Sequence, residues 1–506
     1  MRDARDVGRL SSWHHDWAGL RVAILGLGIS GFSVADTLRE LGAELVVLAS
    51  EADAATADLL EVIGVRLQRS ELEHELDDFG AELVIVSPGF RPTHPLVRRA
   101  IDAGTPVWGD VELAWRLRDK VLDQGTGEPA AWIAITGTNG KTTTTQLTTA
   151  MLVAGGRRAI ACGNVGIPVL DAIRDPLGFD QLVVELSSFQ LYYLDSMSAA
   201  AAVCLNLADD HLDWHGSGEA YREAKAKVYE RARIACVYNL EDGSTRELVE
   251  QAEVVEGCRA IGFGLVMPGP SDVGLVGDVL VDRAFLADRH RSALEIATIN
   301  DLETVGLGSP HMIANVLAAS ALARAVGVST DDIRSAIQGF RLDHHRTETI
   351  STREGIRFVD DSKATNPHAA QAALDSFESI VWIVGGLLKG VDVDALVSTN
   401  IARLRAAVVI GVDRQPLLEA FRRHAPELPV FEVATADTKE VMPTAVGLSF
   451  AVAESGDTVL LAPAAASMDQ FTDYADRGVR FANAVHELFG GPDDDEHSPI
   501  PPRPAA

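Results

Sequence analysis

Cysteine is scarce. The 506 residues hold four, Cys162, Cys204, Cys236 and Cys258, and none stands in a CxxC or CxxH pair. That spacing excludes a zinc site and leaves no disulfide framework, so the four read as small buried hydrophobes in a reducing cytosol. Aromatic residues make up only 6% although 47% of the chain is hydrophobic, so the core must be built mainly from Ala, Val and Leu. Such a composition suits helices laid over parallel sheets. Basic residues are outnumbered, 44 Lys and Arg against 73 Asp and Glu, giving a formal charge of −29. A surface of that sign repels nucleic acid and anionic membranes. Long apolar runs are missing too. Val22–Ala35 is broken by glycines and too short to span a bilayer, and the first residues, MRDARDVGRLSSWHHDW, have mixed charge and no apolar stretch. The expectation is a cytoplasmic monomer acting on small molecules, with no nucleic-acid partner and no membrane insertion.

What the chain does have is glycine placed in motifs. The apolar run Trp132–Ile135 reads as a buried parallel strand, opens into Gly137-Thr138-Asn139-Gly140-Lys141-Thr142, and continues as a helical pattern from Thr143. Strand, glycine turn, Lys-Thr and helix make a phosphate-binding loop. The glycines let backbone N–H groups converge on phosphate oxygens, and the helix start presents its positive end to the same anion. Lys141 adds a mobile charge, and the Thr142 hydroxyl suits Mg²⁺. The spacing is tighter than G-x-x-x-x-G-K-[ST], whose first glycine would fall at Ile135.

A chain this long exceeds one core, and three domains are expected. Residues 1–125 read as a Rossmann-like domain: strand Arg21–Leu25, the turn Gly26-Leu27-Gly28-Ile29-Ser30-Gly31, an amphipathic helix to Leu41, then strands Leu45–Leu48 and Leu83–Val86. That G-x-G-x-x-G turn, with Glu51 as a ribose-binding acid, leaves a nicotinamide oxidoreductase open, since the turn reports only a pyrophosphate near a helix start. Residues 126–346 read as a central P-loop ATPase-type parallel sheet, with further strands at Ala159–Cys162, Leu182–Leu186, Ala201–Leu205 and Ala235–Tyr238. A small antiparallel addition is expected between Glu256 and Thr304, and helices at His311–Val326 and Thr330–Gly339. Residues 347–490 read as a C-terminal Rossmann-like domain with strands Arg357–Asp360, Ile380–Val384, Ala407–Ile410, Val430–Val433 and Thr458–Leu461. The acidic, proline-rich residues 491–506 cannot bury a core and read as a disordered tail. The fold class is α/β throughout.

Four clusters carry further chemistry. Glu185 closes an apolar strand before Leu186-Ser187-Ser188-Phe189-Gln190, at the sheet edge where the phosphate loop lies, and is placed for Mg²⁺. Asn206-Leu207-Ala208-Asp209-Asp210-His211 follows the next strand, and His211 is either a second metal ligand or a packed histidine. Lys225 and Lys227 share one helix, where lysines are ordinarily solvated. Three strand-end loops, Asp360–Asn366, Gly385–Lys389 and Ala465–Phe471, carry hydroxyl and cationic groups toward one sheet edge.

Together these motifs resemble the Mur ligase family, which builds the peptide stem of bacterial cell-wall precursors. The resemblance runs from about Arg21 to Leu488 and rests on GTNGKTTT (137–144), ELSSFQL (185–191), DDHLDWH (209–215), YREAKAKVY (221–229) and His345-Arg346. The Gly26–Gly31 turn resembles the earlier-acting ligases, and Asp361–Asn366 and Ser467–Phe471 are similar to the branch that adds D-glutamate to UDP-N-acetylmuramoyl-L-alanine. The resemblance implies ATP held by Gly137, Thr138, Asn139, Gly140, Lys141, Thr142 and Thr143, with Asn315, Arg346 and Asp361. It implies one Mg²⁺ on Thr142 and Glu185, and a second served by His211 and a Lys225 carbamylated by CO₂. Ile29, Ser30, Ser87, Pro88, Gly89, Asn164 and Ser187 would hold the UDP precursor, and Thr365, Lys389, Ser467 and Tyr474 the D-glutamate. Lys141, Glu185, His211, Lys225 and Lys363 would be catalytic. Three features depart from the pattern: Met312 replaces an adenine-contacting Asn, leaving Asn315 or Asn239 for that contact; Ala49-Ser50 stand where an acid meets uracil; and Gly385-Gly386-Leu387-Leu388-Lys389 is more apolar than the family's usual version. A sister ligase using another amino acid, including a folate polyglutamate type, shares the central domain.

Overall fold

The computed structural model describes residues 7–341, 345–388, 390–435 and 437–490, so the expected tail at 491–506 and Lys389 lie outside the described residues. The chain divides into two compact units. One takes the chain up to Leu207 together with Trp214–Phe340, and the other takes Ala208–Asp213 and the chain from Arg341. No helix among the described residues is long and apolar enough to cross a membrane.

The first unit carries two sheets. In the N-terminal one, β1 (Arg21–Leu25), β2 (Glu44–Leu48), β3 (Arg66–Gln68), β4 (Leu83–Val86) and β5 (Val107–Gly109) pair in the order β3-β2-β1-β4-β5, all parallel. The order reverses between β1 and β4, which opens a crevice at the carboxyl ends of those strands. The turn Gly26–Gly31 and residues 87–89 both emerge there. The glycine turn is sterically required: a Cβ on Gly31 would lie 2.3 Å from the Gly26 carbonyl oxygen. β3 and β5 have three residues each, too few for a period to show in the sequence.

The central sheet has nine strands: β6 (Ala131–Thr136), β7 (Ala159–Gly163), β8 (Gln181–Glu185), β9 (Ala201–Cys204), β10 (Ala235–Asn239), β11 (Arg259–Phe263), β12 (Asp272–Val276), β13 (Val279–Asp282) and β14 (Leu294–Thr298). β6 lies between β8 and β9, parallel to both, and is buried from Trp132 onward. The apolar runs of β6, β8 and β9 are what a strand covered on both faces requires. The antiparallel addition is β12–β14, joined to the parallel part through β11. Cys236 and Cys258, 22 residues apart in sequence, bring their sulfurs to 3.8 Å because β10 and β11 are neighbours.

The second unit holds β15 (Glu348–Arg353), β16 (Ile356–Asp360), β17 (Ile380–Gly385), β18 (Leu404–Ile410), β19 (Val430–Glu432) and β20 (Thr458–Leu461), in the order β15-β16-β20-β17-β18-β19. All neighbours are parallel except β15, an antiparallel edge that the sequence reading did not anticipate. Apolar clusters cover both faces, one around Trp382 and Phe421, the other around Phe358, Phe450 and Phe481.

Candidate active site

The phosphate loop follows the last residue of β6. Gly137 has φ +148° and Gly140 φ +81°, conformations that side-chain-bearing residues rarely adopt. Gly140 also stands against Asn315 of the helix Pro310–Ala325: a Cβ there would lie 2.4 Å from Asn315 Oδ1. The loop is pinned from β9 by Asn206, whose carbonyl accepts the Thr138 N–H (3.0 Å) and whose Oδ1 accepts the Asn139 N–H (2.8 Å). Asn206 had no assigned role in the sequence reading, because its place beside the loop depends on β9 pairing with β6. Lys141 opens the helix Lys141–Ala154 and folds back, donating to the Gly137 and Thr138 carbonyls at 2.9 Å each. Its ammonium thus sits over the loop's own oxygens, at the helix end that attracts anions.

Glu185 ends β8 next to this loop and is 2% exposed, so it is not a solvated strand-end acid. Its Oε1 accepts the Asn164 side-chain amide (2.8 Å), while Oε2 is buried with no hydrogen-bond partner. A buried carboxylate oxygen left unmatched is costly and marks a place for a cation. Thr142, in the first turn of the neighbouring helix, is also buried, so the hard-oxygen donors Thr142 and Glu185 suit Mg²⁺.

Lys225 overturns the ordinary expectation for a helix lysine. It is 1% exposed, and its Nζ donates to the Gly137 carbonyl (2.8 Å) and to Thr136 Oγ1 (3.2 Å). The cause is helix phase. The helix Gly218–Ala226, capped by Ser217, turns Tyr221, Ala224 and Lys225 inward together. Tyr221 reinforces the placement: its hydroxyl shares a 3.0 Å bond with Thr138 Oγ1, and its ring lies 4.9 Å from the ammonium. Lys227 lies off that face and is tied instead to the Tyr192 and Leu194 carbonyls.

Ser187 caps the helix Ser188–Tyr192 in a reciprocal bond with Gln190. Across the N-terminal sheet edge Ile29 is 79% exposed and forms part of a cleft of about 550 Å³ with Phe32, Ser33, Thr56 and Leu59. Of the two asparagines left for the adenine, Asn239 spends its amide on the Leu205 carbonyl (3.1 Å), whereas Asn315 abuts the loop.

In the second unit the strand-end loops of β16, β17 and β20 leave adjacent parallel strands at one edge. Leu387 and Ala466 bridge two of them, and the Ala464 N–H joins the third through the Ala364 carbonyl. Lys363 Nζ reaches the Tyr474 hydroxyl (3.1 Å) and lies 4.6 Å from its ring centre. Ser467 is buried, and Thr365 follows Lys363 in the same tight turn. Arg477, missed in the sequence, organises this edge. It is fully buried and donates to Ser362 Oγ (3.0 Å), the Ser362 carbonyl (2.8 Å) and the Ala465 carbonyl (3.1 Å). Asp361 accepts the Thr347 N–H (3.0 Å); removal of its carboxyl from water pushes the pKa up to about 7, against the opposing pull of that bond and of Arg346, although the residue as a whole is half-buried. His211 also belongs to this unit, at φ +53° beside Asp210, with 3.6 Å between Nε2 and the carboxylate.

Comparison with known proteins gives the family. Residues 20–109 match the model described as Mur ligase MurD-like, N-terminal domain; residues 135–323 match the Mur ligase middle domain; and residues 345–465 match the Mur ligase, glutamate ligase domain. A protein of Leifsonia xyli subsp. xyli is 59% identical over 502 residues, 97% of each chain. One from Streptomyces coelicolor is 49% identical over 94% of this chain and 99% of its own. Both are called UDP-N-acetylmuramoylalanine–D-glutamate ligase. Among solved structures, UDP-N-acetylmuramate-alanine ligase MurC of Thermotoga maritima superposes with TM-score 0.54 at 19% identity, covering 92% of this chain and 99% of its own. The MurF ligase of the same organism, in complex with ADP, gives 0.52 at 16% over 96% and 100%; at such identities the likeness concerns the fold. The fold and the phosphate-loop site define a three-domain ligase: the chain belongs to the Mur ligase family. Within that family it matches, over nearly its whole length, the ligases named for D-glutamate. The nicotinamide reading of the Gly26–Gly31 turn gives way to this assignment.

Proposed function

We propose that the chain is an ATP-dependent acid–amino-acid ligase that joins D-glutamate to UDP-N-acetylmuramoyl-L-alanine in peptidoglycan precursor synthesis. The observation that carries this reading is the 59% identity to a ligase of that name across 97% of both chains. The L-alanyl carboxylate attacks the ATP γ-phosphate, giving an acyl phosphate and ADP. The D-glutamate amine then attacks the carbonyl, an amine proton is released, and phosphate leaves from the tetrahedral intermediate. In the first step two anions must meet, so positive charge at the loop is the main requirement. Lys141 supplies it once ATP draws the ammonium away from the Gly137 and Thr138 carbonyls, and the loop N–H groups and helix start hold the remaining phosphate oxygens. Mg²⁺, held by Thr142 and Glu185, would neutralise phosphate charge when bound. In this reading the Lys225 ammonium first gives up a proton, and the neutral amine then reacts with CO₂, forming an N–C bond and releasing a second proton. The product is an anionic oxygen donor that, with His211, would hold a second cation. Its burial beside Gly137 and Thr136 supports that role.

Residues 29–30, 87–89, Asn164 and Ser187 hold the UDP precursor. Asn315, Arg346, Asp361 and Lys363 meet ATP, and Thr365, Ser467 and Tyr474 seat D-glutamate; Lys389 completes that set from outside the described residues. The test is phosphate release from ATP with the UDP precursor and either D- or L-glutamate. Release with D-glutamate alone is expected, with none from Lys141→Ala. Release that follows another amino acid would make the chain a sister ligase and overturn the D-glutamate assignment.

A further inference from the structure

Two aromatic residues outside that machinery reach across the first unit to the turn expected to hold the precursor. The Tyr193 hydroxyl donates to the Phe90 carbonyl (3.0 Å), and the Trp214 indole N–H donates to the Gly89 carbonyl (3.4 Å). Phe90 in turn covers the glycine motif: a Cβ on Gly26 would lie 2.9 Å from its ring. One chain of contacts therefore runs from the segment after Glu185 to both the Ser87–Gly89 turn and the Gly26–Gly31 turn. Both donors are rigidly set. Tyr193 is 9% and Trp214 8% exposed, and burial raises the pKa of the Tyr193 phenol well above its ordinary value, which keeps it a donor. Trp214 packs against Phe189 with their rings tilted and centroids 4.7 Å apart, and its ring lies 4.5 Å from that of His215. Tyr193 Cβ would be 3.1 Å from a Cβ on Gly109, so a larger residue there would press on the tyrosine. Directly after Tyr193, the buried Glu112 carboxylate accepts the Asp195 N–H (2.8 Å), the Ser196 N–H (2.9 Å) and the Ser196 hydroxyl (2.7 Å). Those bonds and Arg116 hold its pKa below the ordinary value although burial alone would raise it.

We infer that Tyr193 and Trp214 are positioning residues for the UDP precursor: they fix the Ser87–Phe90 turn against the segment that carries Glu185 and Ser187, and so hold the surface that receives the precursor's nucleotide end. This rests on the reading that the turn binds the precursor. A positioned turn acts on precursor affinity and leaves ATP and the amino acid untouched.

Steady-state kinetics with each substrate varied in turn tests the proposal. Tyr193→Phe removes one oxygen from a packed ring and should raise the KM for the UDP precursor about three- to tenfold, the ratio matching one hydrogen bond of this kind. The kcat and the KM values for ATP and D-glutamate should stay within about twofold of wild type, within the scatter expected of uninvolved sites. Trp214→Phe should shift the same constant in the same direction. Precursor KM unchanged in Tyr193→Phe, or all three KM values rising together, overturns the assignment. Isothermal titration of the precursor into Tyr193→Phe gives the same decision without turnover. A wild-type chain that releases no phosphate with this precursor would instead overturn the functional reading itself.

Discussion

Lys225 shows how much a single side chain can depend on its surroundings. Its sequence neighbours place it on a helix where a lysine normally faces water, yet it is enclosed with its ammonium on the loop's Gly137 carbonyl. If it acts as a carbamate, Lys225→Ala should abolish ligation, and short carboxylates such as acetate should restore part of it. A variant that stays inactive with acetate, in a wild type whose Lys225 is unmodified by mass analysis of rapidly quenched protein, would count against the carbamate. Asp361 gives a prediction in pH. Its folded pKa, about 7, lies above the ordinary carboxylate value of 3.8 because burial disfavours the charge. The folded state therefore binds the extra proton, and the stability linked to it is fully present below about pH 4 and lost as pH rises through about 7. Asp361→Asn cannot ionise, so its unfolding midpoint in urea should fall less than that of wild type between pH 4 and pH 7. Parallel pH curves for the two proteins would contradict this. His345 remains in both: its bond to Asp360 raises its pKa, so its contribution is lost above the ordinary histidine value near 6.5.

At the level of elements, the phosphate loop was legible because its parts are local. A strand, two glycines, Lys-Thr and a helix start occupy consecutive residues, and β6 and the helix Lys141–Ala154 lie where the motif requires them. The loops of the second unit were legible only as a set of strand ends, since their common edge follows from β16, β20 and β17 being neighbours. Arg477 escaped notice because an arginine in the helix Tyr474–Leu488 looks like any surface base until the helix packs. Its three donated bonds tie the loop after β16 to the loop after β20. Arg477→Met should leave the Ser362 and Ala465 carbonyls buried and unmatched, at about 1–3 kcal/mol each. The expected outcome is a lowered urea midpoint, with the D-glutamate KM rising as the loops loosen. An unchanged midpoint would mean that water replaces the guanidinium there.

For the molecule as a whole, composition decided the broad class, and the order of motifs decided the family. Few aromatics, many small aliphatics and alternating strand and helix patterns leave little but parallel α/β layers, and three sheets are present. The strand, glycine turn, Lys-Thr pair and helix start of the loop could be read from sequence because they follow one another at short spacings. What only the tertiary structure decided is which distant residues share an environment. Burial of Lys225, the unmatched oxygen of Glu185, the pinning of the loop by Asn206 and the close sulfurs of Cys236 and Cys258 all arise from strand order and helix phase. Strand pairing joins residues far apart in the chain, and desolvation depends on everything packed around a group, so neither can be read from a local stretch of sequence.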